Sequence, residues 1–119
     1  MGIKGSKIKE KKSELNKCSI KTPLFTFDDE NHMCKIVKCY DGDTVHCIFK
    51  HNKKYQRFKI RMYGYNTPEL RDKDPIIKAN AYKAKARITD LLLNKIVYIQ
   101  CKGFDKYGRV LGIIKINKT

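Results

Sequence analysis

The 119-residue chain carries 27 Lys and Arg against 12 Asp and Glu, a formal net charge of +15. That length fits one domain with a single core. The charge leaves the fold open but directs attention to polyanionic partners, either nucleic acid or an anionic membrane. No run of about 18 apolar residues and no signal-peptide core is present, which excludes a membrane-spanning helix and gives no sign of secretion.

Residues 1–21 are polar and Lys-rich, have no convincing apolar face and are expected to be flexible. Residues 22–32 read as a connector with a small apolar patch, Leu24, Phe25 and Phe27. The compact domain is expected at 33–119, with 1–32 as a basic N-terminal segment. The opening "MGIKGS" matches the N-myristoylation pattern, with Gly2 as acceptor and Ser6 at the required place. Lys4, Lys7, Lys9, Lys11, Lys12 and Lys17 form a basic tract beside it. An acyl chain plus such a tract would attach a protein to an anionic cytoplasmic membrane face. The preferred reading is a plain basic tail that contacts a nucleic-acid backbone.

From Cys34 the pattern is mainly strand. "CKIVKCY" leads into the turn "DGD", "TVHCIFK" leads out, and "HNKK" is a second turn. "YQRFKIRMYGY" is a third strand. After the polar loop "RDKDP", "IIKANAYKAKARITDLLLN" is the one clear helix, with Ile77, Ala81, Ala84, Ile88 and Leu91 at helical spacing and Asn94 as its stop. "KIVYIQCKGF" and "VLGIIKI" are two more strands, joined by the loop "DKYGR". Three strands, a helix and two strands make a β-rich (α+β) domain with one helix packed across it.

The five cysteines, Cys18, Cys34, Cys39, Cys47 and Cys101, lack the number and spacing of a disulfide framework, and no CxxC suggests zinc. Reduced thiols point to an intracellular, cytoplasmic setting. His32, His46 and His51 read as surface or strand-edge residues.

Three short segments carry candidate chemistry: Asp41-Gly42-Asp43-Thr44, "RMYGYNTPE" from Arg61 to Glu69, and "DKYGR" from Asp105 to Arg109. Taken singly, each is ordinary, since Asp and Gly suit a hairpin turn and a strand arginine is usually solvated. In this order and at these intervals they resemble the staphylococcal nuclease (thermonuclease-like) family over about residues 33–119. The resemblance implies an OB-fold barrel of five strands with packed helices. The implied activity is calcium-dependent hydrolysis of DNA and RNA phosphodiesters, with single strands preferred and 3′-phosphate ends released by a monomer.

By the resemblance, Asp43 would ligate Ca2+ through its carboxylate, Thr67 through its backbone carbonyl and Asn66 through its amide oxygen. Such a hard cation takes oxygen ligands. Glu69 would act as general base on a water. Arg61 and Arg109 would clamp phosphate oxygens with planar, permanently charged forks. Tyr107 would contact the terminal phosphate, and Asp41 would lie near the ion without touching it.

Two departures stand out. Asn66 occupies a position where the family usually has Asp, so the site loses a charged ligand and calcium binding should weaken. The family's last helix and its base-stacking tyrosines, which follow the fifth strand, have no counterpart before Thr119. Stacking contributes about 1–3 kcal/mol per base, so affinity for substrate should fall. A second reading follows from these departures: a non-catalytic OB-type module that binds nucleic acid or protein through a degenerate metal site. The basic run 50–61 is a candidate track for the nucleic-acid backbone.

Overall fold

Alternate residues of the five strands supply one core, although the second strand is buried on both faces over residues 44–47. On β1 (Asn31–Cys39), β2 (Thr44–His51) and β3 (Lys54–Met62), Cys34, Ile36, Val45, Cys47, Phe49 and Ile60 point into one core. On β4 (Ile96–Phe104) and β5 (Val110–Lys115), Val97, Ile99, Cys101 and Val110 join it. The computed structural model describes residues 11–64 and 66–117. Gly2 and Ser6 of the acylation pattern lie outside them.

The five strands close into a barrel in the order β1-β2-β3-β5-β4. All neighbours are antiparallel except β3 and β5, which run parallel through Ile60↔Val110 and Arg61↔Leu111 and complete the closure. This is the five-stranded barrel of the OB type, with one long helix on its side.

The β2–β3 hairpin turns through Asn52 and Lys53, both at positive φ, as a two-residue connection between right-twisted strands requires. The third strand ends at Met62, earlier than the sequence pattern suggested. The amide of Tyr63 leaves the ladder to donate to the Gly112 carbonyl, and Gly64 at φ 70° turns the chain.

The helix α2 (Pro75–Leu92) starts with Asp74, whose carboxylate accepts from the amides of Ile76 and Ile77, and with Pro75 in the first turn. Its buried positions are Ala81 and Leu92, with Ile88 partly covered between them. The expected face is therefore rotated: Leu91 is exposed and Leu92 takes the core position, because the helix rests mainly on β1. Asn94, at φ 63°, stops the helix and donates its amide to the Ile36 carbonyl. Ahead of the barrel lies a one-turn helix α1 (Lys12–Leu15), fully exposed and unmarked in the sequence pattern. No described helix is long and apolar enough to cross a membrane.

Two expectations need correction. β1 begins at Asn31, ahead of Met33, and the connector contributes a core residue, since Phe27 is 3% exposed. Its ring stands edge-on to Phe49 and Phe58, with centroids 5.8 and 5.4 Å away, and to His51 at 5.0 Å. The histidines are also less exposed than surface residues. His32 stacks on Phe49 at 4.1 Å, and His46 is buried. The cysteines are free, and Cys34, Cys39, Cys47 and Cys101 serve as small core side chains. Burial raises the Cys101 thiol to about 11.

Phe27→Ala should cost about 3–5 kcal/mol, the range for emptying a buried aromatic site. The urea midpoint is expected to fall while the denaturant slope stays constant. An unchanged midpoint would show that the connector does not belong to the cooperative unit.

Candidate active site

The site grows from the turn between β1 and β2. Gly42 is required there by close approach, not by its backbone angle. A Cβ at this position would lie 2.7 Å from Ala84 Cβ and 2.8 Å from Thr67 Cγ2 and Oγ1. Turn, helix α2 and the loop after β3 therefore meet at a point where no side chain fits.

Asp43, next in the chain, is 7% exposed and fully engaged. Its amide donates to Asp41 Oδ1 at 3.1 Å. Thr44 Oγ1 donates to its Oδ1 at 3.0 Å, and the Thr67 amide to its Oδ2 at 3.0 Å. Arg61 Nη1 pairs with Oδ2 at 3.0 Å. Arg61 reaches it because Thr44 and Arg61 are register partners on β2 and β3. Its second amino group, Nη2, donates to Asn66 Oδ1. One guanidinium thus joins two oxygens from two segments.

Burial opposes the charge on Asp43, but hydrogen bonds from the Asp41 side and the Thr67 amide, with the Arg61 charge, hold its carboxyl below the usual range. Asp41 shifts the opposite way, raised by burial and by its neighbour Asp43.

Glu69, Tyr107 and Arg109 line a cleft of about 590 Å³ together with Asp41 and Thr44. Thr44 touches both the Asp43 network and the cleft, so the two halves are adjacent. Glu69 pairs with Arg71 at 2.6 Å on the exposed loop. Arg109 is fixed by Asp105, whose Oδ1 accepts from the amides of Tyr107 (2.8 Å) and Arg109 (2.9 Å) and whose Oδ2 accepts from Arg109 Nε at 2.5 Å. Gly108, at φ 80°, lets the loop close. The Arg109 guanidinium lies 5.5 Å from the Tyr107 ring centroid. That contact and Asp105 use part of the five-donor fork.

All the residues singled out in the sequence fall in this region. Asp43 is joined to Arg61 and to the Thr67 amide, and Arg61 to Asn66, while Glu69, Tyr107 and Arg109 share the cleft beside them. Sequence reasoning missed the organising role of Asp105, although an Asp ahead of a Gly turn is a signal for side-chain capping of a loop. It also missed Lys38, Tyr40, His46 and Arg71, which line the same cleft. Of the basic run 50–61, Lys59 reaches the cleft lining.

Among the described residues no three His, Cys, Asp or Glu side chains gather as a metal cluster. The candidate donors here are of another kind: one carboxylate, one amide oxygen and one backbone carbonyl. Their chemistry fits a hard divalent cation. Two of them, Asp43 Oδ2 and Asn66 Oδ1, already converge on a positive charge, that of Arg61.

A small closed barrel with one long helix and an acid-and-arginine cluster beside a cleft defines the class: an OB-type domain. The sequence profile of the staphylococcal nuclease homologues matches residues 59–119, and the chain belongs to that family. It is 34% identical over 99 residues to a Haemophilus influenzae protein named an uncharacterized endonuclease, covering 82% of this chain and 49% of that one. It is 33% identical over 115 residues to an uncharacterized protein of Methanocaldococcus jannaschii, covering 80% and 54%. A Shigella flexneri protein named micrococcal nuclease is 28% identical over 80 residues, covering 67% of this chain and 40% of its own length. The chain thus spans about half the length, or less, of these relatives.

The Asp105 network makes a pH prediction. Burial disfavours its charge, but the Arg109 amide and side chain and the Tyr107 amide outweigh that and lower its pKa in the fold. A lowered carboxyl stabilises the fold above its unfolded value of about 3.9, and that contribution is lost as pH falls through the folded value. Asp105→Ala should therefore cost about 1.5–3 kcal/mol near neutrality, the range for hydrogen bonds to a charged group. In urea titrations the gap from wild type should close as pH drops below 4. A gap constant down to pH 2 would contradict this account.

Proposed function

We propose that the protein is a calcium-dependent nuclease that hydrolyses phosphodiester bonds of DNA and RNA, preferring single strands and leaving 3′-phosphate ends. The observation that carries this reading is the Arg61 bridge between Asp43 and Asn66, set against a cleft lined by Glu69, Tyr107 and Arg109. Membership of a nuclease family and the printed names of two relatives support it.

In this proposal the Asp43 carboxylate, the Asn66 amide oxygen and the Thr67 carbonyl hold the ion. Bound there, calcium supplies Lewis-acid polarisation of a phosphate oxygen and a site for water. Glu69 accepts a proton from the water that attacks phosphorus, so the new P–O bond forms as the proton leaves. The bond to the 5′ oxygen breaks, that oxygen is protonated from solvent, and the phosphate stays on the 3′ oxygen. Arg61 and Arg109 neutralise the charge that grows on the non-bridging oxygens. Asp105 keeps Arg109 oriented, and Tyr107 bears on the terminal phosphate. The +15 charge draws the strand towards this site.

Cleavage of denatured DNA should need calcium in the millimolar range and stop when chelator is added. Activity undiminished by chelator would remove the metal reading. Asn66→Asp should tighten calcium binding by about 1–2 kcal/mol, the scale of one charge-assisted contact, and so lower the calcium needed for half-maximal rate about tenfold. An equal or greater requirement would contradict the role given to Asn66.

Arg61→Ala and Arg109→Ala should each reduce turnover by about 10²–10³-fold, the loss seen on removing one charge-stabilising donor. Binding of an uncleaved strand, read by fluorescence anisotropy in chelator, should weaken far less. Equal losses in binding and turnover would point to a non-catalytic binding module.

A further inference from the structure

Beyond the acid-and-arginine centre, the cleft continues across the outer face of the first three strands. Lys38 on β1 is the register partner of His46 on β2, and His46 is the partner of Lys59 on β3. All three line the cleft, as does Tyr40. Lys59 and Arg61 alternate on the same side of β3, so this row lies one step along the strand from the Arg61 row, about 7 Å away at ordinary strand rise.

The row has no internal balance of charge. β1, β2 and β3 contain no Asp or Glu. Neither Lys38 nor Lys59 forms an ion pair with a described residue; the described pairs lie elsewhere. Lys38 Nζ sits 6.0 Å from the Tyr40 ring centroid, and Tyr40 is 55% exposed. Between the lysines, His46 is 9% exposed and its Nδ1 has no hydrogen-bond partner. Burial, followed by the charges of Lys38, Arg57 and Lys59, lowers the pKa of this ring, so it stays neutral and does not add to the repulsion. Two lysines on one row of strands that carry no acid leave a positive stretch of the cleft wall, which an anion lying against the row would neutralise.

We propose that the Lys38–His46–Lys59 row, with Tyr40 beside it, is a subsite for a neighbouring nucleotide of the substrate strand, its phosphate on the row and its base on the tyrosine. This rests on the nuclease reading for the identity of the strand. The chemistry suits a single strand, where a basic groove follows the backbone and an aromatic ring offers a sequence-tolerant stacking face. The row also gives the cleft a direction, with the bond to be cut at Arg61 and Arg109 and the strand extending over β1–β3.

The test is binding without cleavage. A fluorescent single-stranded DNA of about eight nucleotides, within the span of an OB-type domain, is titrated with full-length protein in chelator at several salt concentrations. Thymidine 3′-monophosphate serves as the short probe. Lys38→Ala/Lys59→Ala should weaken the octamer about tenfold at low salt and reduce the slope of log affinity against log salt by about 0.7, one phosphate contact on a single strand. Affinity for the monophosphate should not change. Lys78→Ala/Lys83→Ala, which removes the same charge from exposed turns of α2, should leave the slope as in wild type. If the two double variants behave alike, or if the cleft variant weakens both probes equally, the subsite is overturned and the lysines belong to the general field. A wild-type protein that binds the octamer in chelator but never cuts it in calcium overturns the nuclease reading and still permits the subsite to be read. No binding of the octamer by wild type overturns both.

Discussion

The buried ion pair between Asp43 and Arg61 is the contact on which the site depends. Both side chains are largely withdrawn from water, 9% and 19% exposed. Charges in such a place must be paired and hydrogen-bonded, and removing one partner of a buried pair typically costs about 3–5 kcal/mol. The Asp43 carboxylate also receives the Thr44 hydroxyl and the Thr67 amide, so it fastens the loop after β3 to the start of β2. Gly42 tightens the same junction from the other side by letting Thr67 and Ala84 approach the turn. Barrel register, helix docking and loop position are therefore fixed together, and the side chains of Asp43, Arg61 and Asn66 are placed by the fold itself.

Much of the fold was legible because its signals are local. Turn residues and alternation marked the five strands, and the Ala- and Leu-rich stretch marked α2. Closure of the barrel through parallel β3 and β5 is a long-range pairing that no local pattern announces. The burial of Phe27 was hidden for a similar reason: of the patch Leu24, Phe25 and Phe27, only contact with the barrel decides that Phe27 folds in while the other two stay exposed. His46 misled because a strand histidine ordinarily faces solvent, and its burial depends on neighbours supplied by β1 and β3. The helix face slipped from Leu91 to Leu92 because "LLL" offers three adjacent apolar choices and only the contact with β1 decides among them.

The candidate site was legible as a set of residues but not as a wiring. The three segments identified which side chains to consider. Their contacts show a division of labour that the motifs do not contain. Asp105 serves the loop that carries Tyr107 and Arg109, and Asp41 caps the Asp43 amide and is shifted upward by burial and by the neighbouring acid. Asn66 reads differently in this light. Its amide oxygen accepts from the same guanidinium that binds Asp43, so the substitution keeps the geometry of an oxygen donor while removing a charge.

The most direct test of the account is an Asp43→Asn variant, nearly isosteric but uncharged, compared with wild type for cleavage of single-stranded DNA in calcium. Folding is checked by circular dichroism and product ends by mass spectrometry. The account predicts wild-type cleavage with 3′-phosphate ends and a folded variant slower by at least about 10²-fold, the scale of losing one electrostatic element of a catalytic centre. A folded Asp43→Asn protein that cuts at the wild-type rate would contradict it.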